Sequence, residues 1–107
     1  MGAIQASLAA ETRWTVINGP MKGVVRVLSL PQFIIGRSSE CDFILPNDPK
    51  CSRKHALVQV TGNFCEVQSL NDGNLLAVNG REIVRSPLKD GDVLTVGETD
   101  IQFKMNL

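Results

Sequence analysis

The feature that most limits this chain is its punctuation. Turn-forming residues recur at roughly ten-residue intervals, a spacing that leaves room for strands and little for helices. They are Asn18-Gly19, Pro31, the Pro46-Asn47-Asp48-Pro49 cluster, Gly62-Asn63, Asp72-Gly73, Asn79-Gly80, Asp90-Gly91 and Gly97. Glycine and asparagine supply positive φ there and proline a fixed φ, which suits tight reversals. Between the turns lie short apolar runs at 13–17, 24–28, 33–35, 43–45, 55–60, 64–67, 75–78, 93–96 and 101–104. Several alternate. Ala56, Val58 and Val60 share one face of their run, with Gln59 and Thr61 on the other; Val93 and Thr95 oppose Leu94 and Val96. Valine and isoleucine fit a pleated, half-buried surface. No stretch holds a 3.6-residue period over three turns, so the expectation is an all-β chain of antiparallel strands, a sandwich or barrel.

Size and charge narrow the class further. With 107 residues the chain suits one domain. Folding at this length buries roughly two-thirds of the unfolded surface, enough for one core without metal or disulfide staples. Eleven Lys and Arg balance eleven Asp and Glu, which argues against a broad polyanion surface such as a nucleic-acid binder would need. It does not exclude a pocket for one small anion. No apolar run approaches the roughly 18 residues of a membrane span, and no secretory signal precedes the first strand. Met1-Gly2 lacks the Ser or Thr that myristoylation wants at position 6, which is Ala6. Three widely spaced cysteines, Cys41, Cys51 and Cys65, fit a reduced, cytoplasmic protein better than a disulfide framework. Residues 1–11, small and apolar without periodicity, read as a flexible leader, and 12–107 as one domain excised from a longer protein.

Three turns carry unusual polar residues. Ile35-Gly36-Arg37-Ser38 puts an arginine directly after a strand and a glycine. Cys51-Ser52-Arg53-Lys54-His55 opens a strong strand. Asp72-Gly73-Asn74-Leu75 is followed by Asn79-Gly80. In this order, from about Trp14 to Phe103, the chain resembles the forkhead-associated (FHA) domain, whose pattern is Gly-Arg, then Ser-x-x-His, then Asn, then Asn-Gly. The resemblance implies a β-sandwich of about eleven strands that binds phosphothreonine peptides through loops at one end. It implies that Arg37 and Ser52 hold the phosphate, that Asn74 pairs with the peptide backbone, and that Gly36, His55, Asn79 and Gly80 shape the loops.

The chemistry of the residues agrees. A phosphothreonine carries nearly two negative charges and three strong acceptor oxygens, so its binder needs donors from several directions. Arg37 offers a planar fork that stays charged at any relevant pH. Ser52 offers a hydroxyl on a short tether, Arg53 or Lys54 a second cation, and the turn its backbone N–H groups. Asn74 has both a donor and an acceptor for a peptide backbone. His55, the one histidine, sits three residues from Ser52 at a strand entry, poor geometry for a nucleophile–base pair, so no catalysis is expected. The cysteines and His55 lack a metal-ligand spacing, and no metal or other cofactor is expected. Trp14 and Cys65 read as core, and Asn79-Gly80 as a type I′ hairpin turn.

One departure from the family pattern matters. The position before the asparagine is often a Ser or Thr that reaches the phosphate; here it is Gly73. A hydrogen bond to a charged group is worth about 1.5–3 kcal/mol, so the loss weakens binding without abolishing it. The expected partners are a phosphothreonine-containing protein, an upstream Ser/Thr kinase and a fused effector domain (a kinase, transcription regulator or cyclic-nucleotide enzyme), with neither nucleic acid nor membrane. Thr12, ahead of the first strand, is a further expected phosphorylation site, which would let the chain's own tail fill the pocket. The rival reading is an FHA-like scaffold that assembles independently of phosphate.

Overall fold

The computed structural model describes residues 10–70 and 73–105. Eleven strands occur among them: β1 (Thr12–Asn18), β2 (Val25–Leu28), β3 (Gln32–Gly36), β4 (Phe43–Ile44), β5 (Ala56–Thr61), β6 (Phe64–Ser69), β7 (Leu76–Val78), β8 (Arg81–Glu82), β9 (Arg85–Leu88), β10 (Val93–Val96) and β11 (Thr99–Met105). They form two sheets, ordered β2-β1-β11-β10-β7-β8 and β4-β3-β5-β6-β9. No helix among the described residues is long and apolar enough to cross a membrane.

The turn residues explain the connectivity. Asn79 and Gly80 both take positive φ (51° and 83°) between Val78 and Arg81, which pair across the β7–β8 hairpin. Positive φ at both central positions is the type I′ geometry, whose twist matches that of the strands. Alternation then decides the faces. In β5, Ala56, Val58 and Val60 are buried while Leu57 and Gln59 are half-buried. In β11, Ile101 and Phe103 point inward and Lys104 outward.

The two sheets meet on aromatic rings. Trp14 of β1 stands edge-on to Phe33 of the opposite sheet, with centroids 5.5 Å apart, and packs at 4.8 Å against Phe103. All three are buried, together with Ile35, Phe43, Leu94 and Ile101. The one polar atom of the indole is satisfied: Trp14 Nε1–H donates to Thr12 Oγ1 at 2.8 Å, and that hydroxyl donates to the Leu28 carbonyl at 3.0 Å.

The structure corrects the sequence reading in three places. The sandwich is not wholly antiparallel, because β3 and the two-residue β4 pair in parallel, Ile35 with Phe43 and Gly36 with Ile44. Strands β8 and β9 were not anticipated. β8 is two exposed charged residues, and β9 carries Pro87, a residue admitted here because β9 is an edge strand. Third, Thr12 does not precede the first strand; it is the buried first residue of β1, with its hydroxyl engaged as above. A phosphate on it would break those bonds and has no room. Thr12 is therefore withdrawn as a phosphorylation site. Most of the expected leader, residues 1–9, and Asp72 of the third turn lie outside the described residues.

Replacing Trp14 by alanine removes its ring contacts with Phe33 and Phe103 and takes one of two hydrogen-bond partners from the Thr12 hydroxyl. The expected loss is about 3–5 kcal/mol of unfolding free energy, to be measured by urea denaturation followed by circular dichroism; a loss under about 1 kcal/mol would show that the ring is not the sheet-to-sheet anchor.

Candidate functional site

The loops at one end of the sandwich carry the polar turns. The β3–β4 loop holds Arg37, the β4–β5 loop holds Ser52, Arg53 and Lys54, and the β6–β7 loop holds Gly73 and Asn74. The structure brings the first, second and last of these loops into direct contact. The Arg37 backbone N–H donates to the Ser52 carbonyl at 2.9 Å, and its Nε–H to the Cys51 carbonyl at 3.0 Å. Asn74 Nδ2 donates to Ser52 Oγ at 2.5 Å. Arg37 is exposed, as are Arg53, Lys54, Gly73 and Asn74, while Ser52 is half-buried. With Nε engaged, the four remaining guanidinium N–H bonds are on the two terminal nitrogens. No described carboxylate lies within ion-pair distance of that guanidinium.

Gly36 sets the approach of the loops. A Cβ built on it would lie 2.2 Å from the Arg53 carbonyl oxygen and 2.8 Å from Cys41 Sγ. That oxygen is backbone and cannot step aside, so only glycine lets the β4–β5 loop close over the end of β3. The same Arg53 carbonyl accepts from the Ser38 N–H at 3.1 Å and from the Cys41 thiol at 3.1 Å. The Cys51 thiol donates to the Ser52 carbonyl at 3.4 Å. Burial pushes both thiols up, Cys51 to about 12 with help from the Asp48 charge, so both stay protonated and act as donors.

His55 lies fully buried one residue before β5. Its Nδ1 accepts from the Ser52 backbone N–H at 3.0 Å, and its Nε2 pairs with the Leu75 carbonyl at 2.8 Å. A carbonyl can only accept, so Nε2 carries the proton and the ring is neutral. Both nitrogens are committed to backbone groups of two different loops. Neither is available as a base for the Ser52 hydroxyl, and the arrangement offers cation and hydroxyl donors without a nucleophile–base pair.

Two expected participants lie elsewhere. The Asn79-Gly80 turn supports a different loop: Asn79 Nδ2 donates to Asp92 Oδ1 at 3.0 Å, and Asn79 Oδ1 accepts from the Val93 N–H at 2.9 Å. Thr12 pairs with Met105 at the far end of β11 from Thr99, a seven-residue strand or about 20 Å away.

One residue escaped the sequence reading. Asp48, taken there as part of a turn cluster, is 1% exposed. Its carboxylate accepts from the Lys50 N–H at 2.9 Å, the Glu98 N–H at 2.8 Å and the Thr99 hydroxyl at 2.7 Å. An Asp between two prolines is an ordinary turn residue by composition; its partners at 98 and 99 are visible only in three dimensions.

A family model described as FHA domain matches residues 33–97. Among curated proteins, the FHA domain-containing protein FhaA of Mycobacterium tuberculosis is 34% identical over 73 residues, 68% of this chain. The chain spans only 14% of the length of FhaA. Among solved structures, a domain studied for phosphothreonine-dependent FHA domain interactions superposes with a TM-score of 0.81 and 29% identity, covering 91% of this chain and 98% of that one. The FHA domain of FhaA, solved in complex with the intracellular domain of Rv3910, superposes at 0.77 with 29% identity, covering 87% and 99%.

Burial of the His55 ring lowers its pKa from the ordinary 6.5, against opposing pulls from the Leu75 hydrogen bond and the Asp48 charge. The unfolded chain therefore takes up a proton that the folded ring resists. Stability from this group is fully present above about pH 6.5 and falls as the pH drops from there through the depressed folded value. Urea unfolding at pH 7.5 and 5.5 is expected to show a loss in the native protein and a smaller one in His55→Gln. Equal losses in both would mean that the ring does not carry this dependence.

Proposed function

The chain belongs to the FHA-domain family, and on that premise we propose that it is a phosphothreonine-dependent binding module whose pocket is made by Arg37, Ser52, Arg53, Lys54, Gly73 and Asn74. The observation that carries the reading is the convergence of Arg37, Ser52 and Asn74 from three loops on one surface. Two terminal guanidinium nitrogens and a hydroxyl face an anion with donors in different directions, the arrangement that clustered Arg sites use for phosphate. Arg53 and Lys54, exposed on the same loop, add positive charge around it. Asn74 orients Ser52 and, carrying both an amide donor and a carbonyl acceptor, is the side chain suited to the backbone beside the phosphothreonine.

The recognised segment is a phosphothreonine-bearing protein made by a Ser/Thr kinase, and unmodified threonine leaves the cations without their anion. FHA domains are binding modules, and any catalysis in the full-length protein belongs to a fused effector domain. A reducing, cytoplasmic setting fits the three buried thiols.

Arg37→Ala is expected to weaken binding of a phosphothreonine peptide by roughly tenfold or more, equivalent to about 1.4 kcal/mol or more, with the melting temperature little changed. Isothermal titration of the phosphorylated and unphosphorylated peptide against both proteins measures this. Equal affinity of the two proteins removes Arg37 from the pocket. Equal affinity of the two peptides for the native protein overturns the module reading and favours phosphate-independent assembly.

Gly73 supplies a second test of the same geometry. A Cβ there meets nothing within 4 Å, so Gly73→Ser adds a hydroxyl without a clash. It is expected to tighten phosphopeptide binding several-fold, as one added hydrogen bond to a charged group would. Unchanged or weaker affinity would show that residue 73 does not face the phosphate.

A further inference from the structure

We infer that Asp48 is a positioning residue for the phosphothreonine pocket, its buried carboxylate pinning the β4–β5 loop to the β10–β11 turn so that Cys51 and Ser52 reach Arg37. The inference rests on the reading above of Arg37 and Ser52 as phosphate ligands.

The path runs through short bonds. Asp48 Oδ1 accepts from the Lys50 N–H of its own loop, and its backbone carbonyl accepts from the Cys51 N–H at 3.2 Å. Those two bonds curl residues 48–51 into a tight turn. Asp48 Oδ2 accepts from the Glu98 N–H and the Thr99 hydroxyl of the other sheet. The next residues along the loop deliver the Cys51 carbonyl to Arg37 Nε and the Ser52 carbonyl to the Arg37 N–H. The guanidinium is thus aimed by a loop whose only bonds to the β10–β11 turn found among the described residues converge on one carboxylate and the surface pair Lys50–Glu98, at 3.9 Å.

The turn it grips is shaped to receive it. Gly97 takes φ +62°, and a Cβ on it would lie 2.9 Å from both Asp48 oxygens and 2.8 Å from the Lys50 carbonyl carbon. A buried carboxylate is costly unless it is fully hydrogen-bonded. Here three donors meet it, two of them from a segment fifty residues away. A plain turn former would not need them; a carboxylate that fixes the spacing between two loops does.

The test pairs two readouts on the native protein, Asp48→Asn and Thr99→Val. The amide replaces an acceptor by a donor opposite existing donors; the valine removes only one of the three bonds. Amide hydrogen exchange by NMR, without peptide, follows Arg37, whose N–H bonds the Ser52 carbonyl, against the core strand amides of Val58 and Ile101. Titration with a phosphothreonine peptide gives affinity. For Asp48→Asn the expected result is a loss of protection at Arg37 of about tenfold, core amides within about twofold, and a loss of affinity of about tenfold. Thr99→Val is expected to move Arg37 protection and affinity the same way by a smaller factor, and it decides the matter if Asp48→Asn does not fold. Uniform loss of protection across the core, or unchanged protection at Arg37, overturns the inference. Should the native protein bind no phosphothreonine peptide, the functional reading fails, and selective loss of protection at Arg37 alone decides whether Asp48 positions it.

Discussion

The loop cluster at one end of this protein depends on one neutral imidazole. His55 is held in a single tautomer, accepting a backbone N–H from Ser52 and donating to the backbone carbonyl of Leu75. Those two groups belong to loops that leave β4 and β6 and arrive at strands of different sheets. A protonated ring would set two donors against one N–H and one carbonyl, and the Ser52 contact would turn repulsive. Burial suppresses that state. In the proposed pocket the ring acts through the backbone of Ser52, because both of its nitrogens are committed to backbone groups.

Around that latch, backbone proximity does what side chains alone could not. The absence of a Cβ at Gly36 lets the Arg53 carbonyl come close, and that carbonyl then gathers the Ser38 N–H and the Cys41 thiol. Gly97 does the same for Asp48 across the other sheet. The result is a loop cluster held by its own backbone bonds, with Arg37 exposed and Ser52 half-buried at its surface. Preorganisation of this kind lowers the ordering cost of binding, so a few contacts can suffice for a small dianion.

How far the sequence could be read follows from where each signal originates. β5 was legible because its burial is one-sided, and one-sided burial writes a period of two into Ala56, Val58 and Val60. β8 and β9 were not, since an edge strand needs no apolar face: Arg81 and Glu82 are exposed, and Arg85 is fixed instead by a 2.9 Å ion pair with Glu66 on the neighbouring strand. The parallel β3–β4 pair left no trace because two residues cannot show a pattern. Gly36, Arg37, Ser52 and Asn74 could be picked out because three loops carry different polar motifs in a fixed order. Thr12 misled because an N-terminal threonine looks alike whether it dangles or caps an indole, and Asp48 was passed over because its donors stand fifty residues away.

The equality of acidic and basic residues takes on a spatial meaning in the folded chain. Arg37, Arg53 and Lys54 stand on two adjoining loops, and Lys50 is drawn aside toward Glu98. At the opposite edge Asp90 meets Lys104, and Asp92 is tied up by Asn79 and the Lys89 N–H. In the proposed pocket these like charges repel when it is empty, and a phosphate dianion would relieve that repulsion. The rest of the neutral chain carries the offsetting negative charge, and salt screening confines the attraction of the three cations to about a Debye length, roughly 8 Å at physiological salt. For the proposed phosphothreonine module, a neutral chain is therefore better suited than a basic one to tell a single phosphorylated threonine from the many anionic surfaces around it, since only a ligand that enters the pocket feels the full charge.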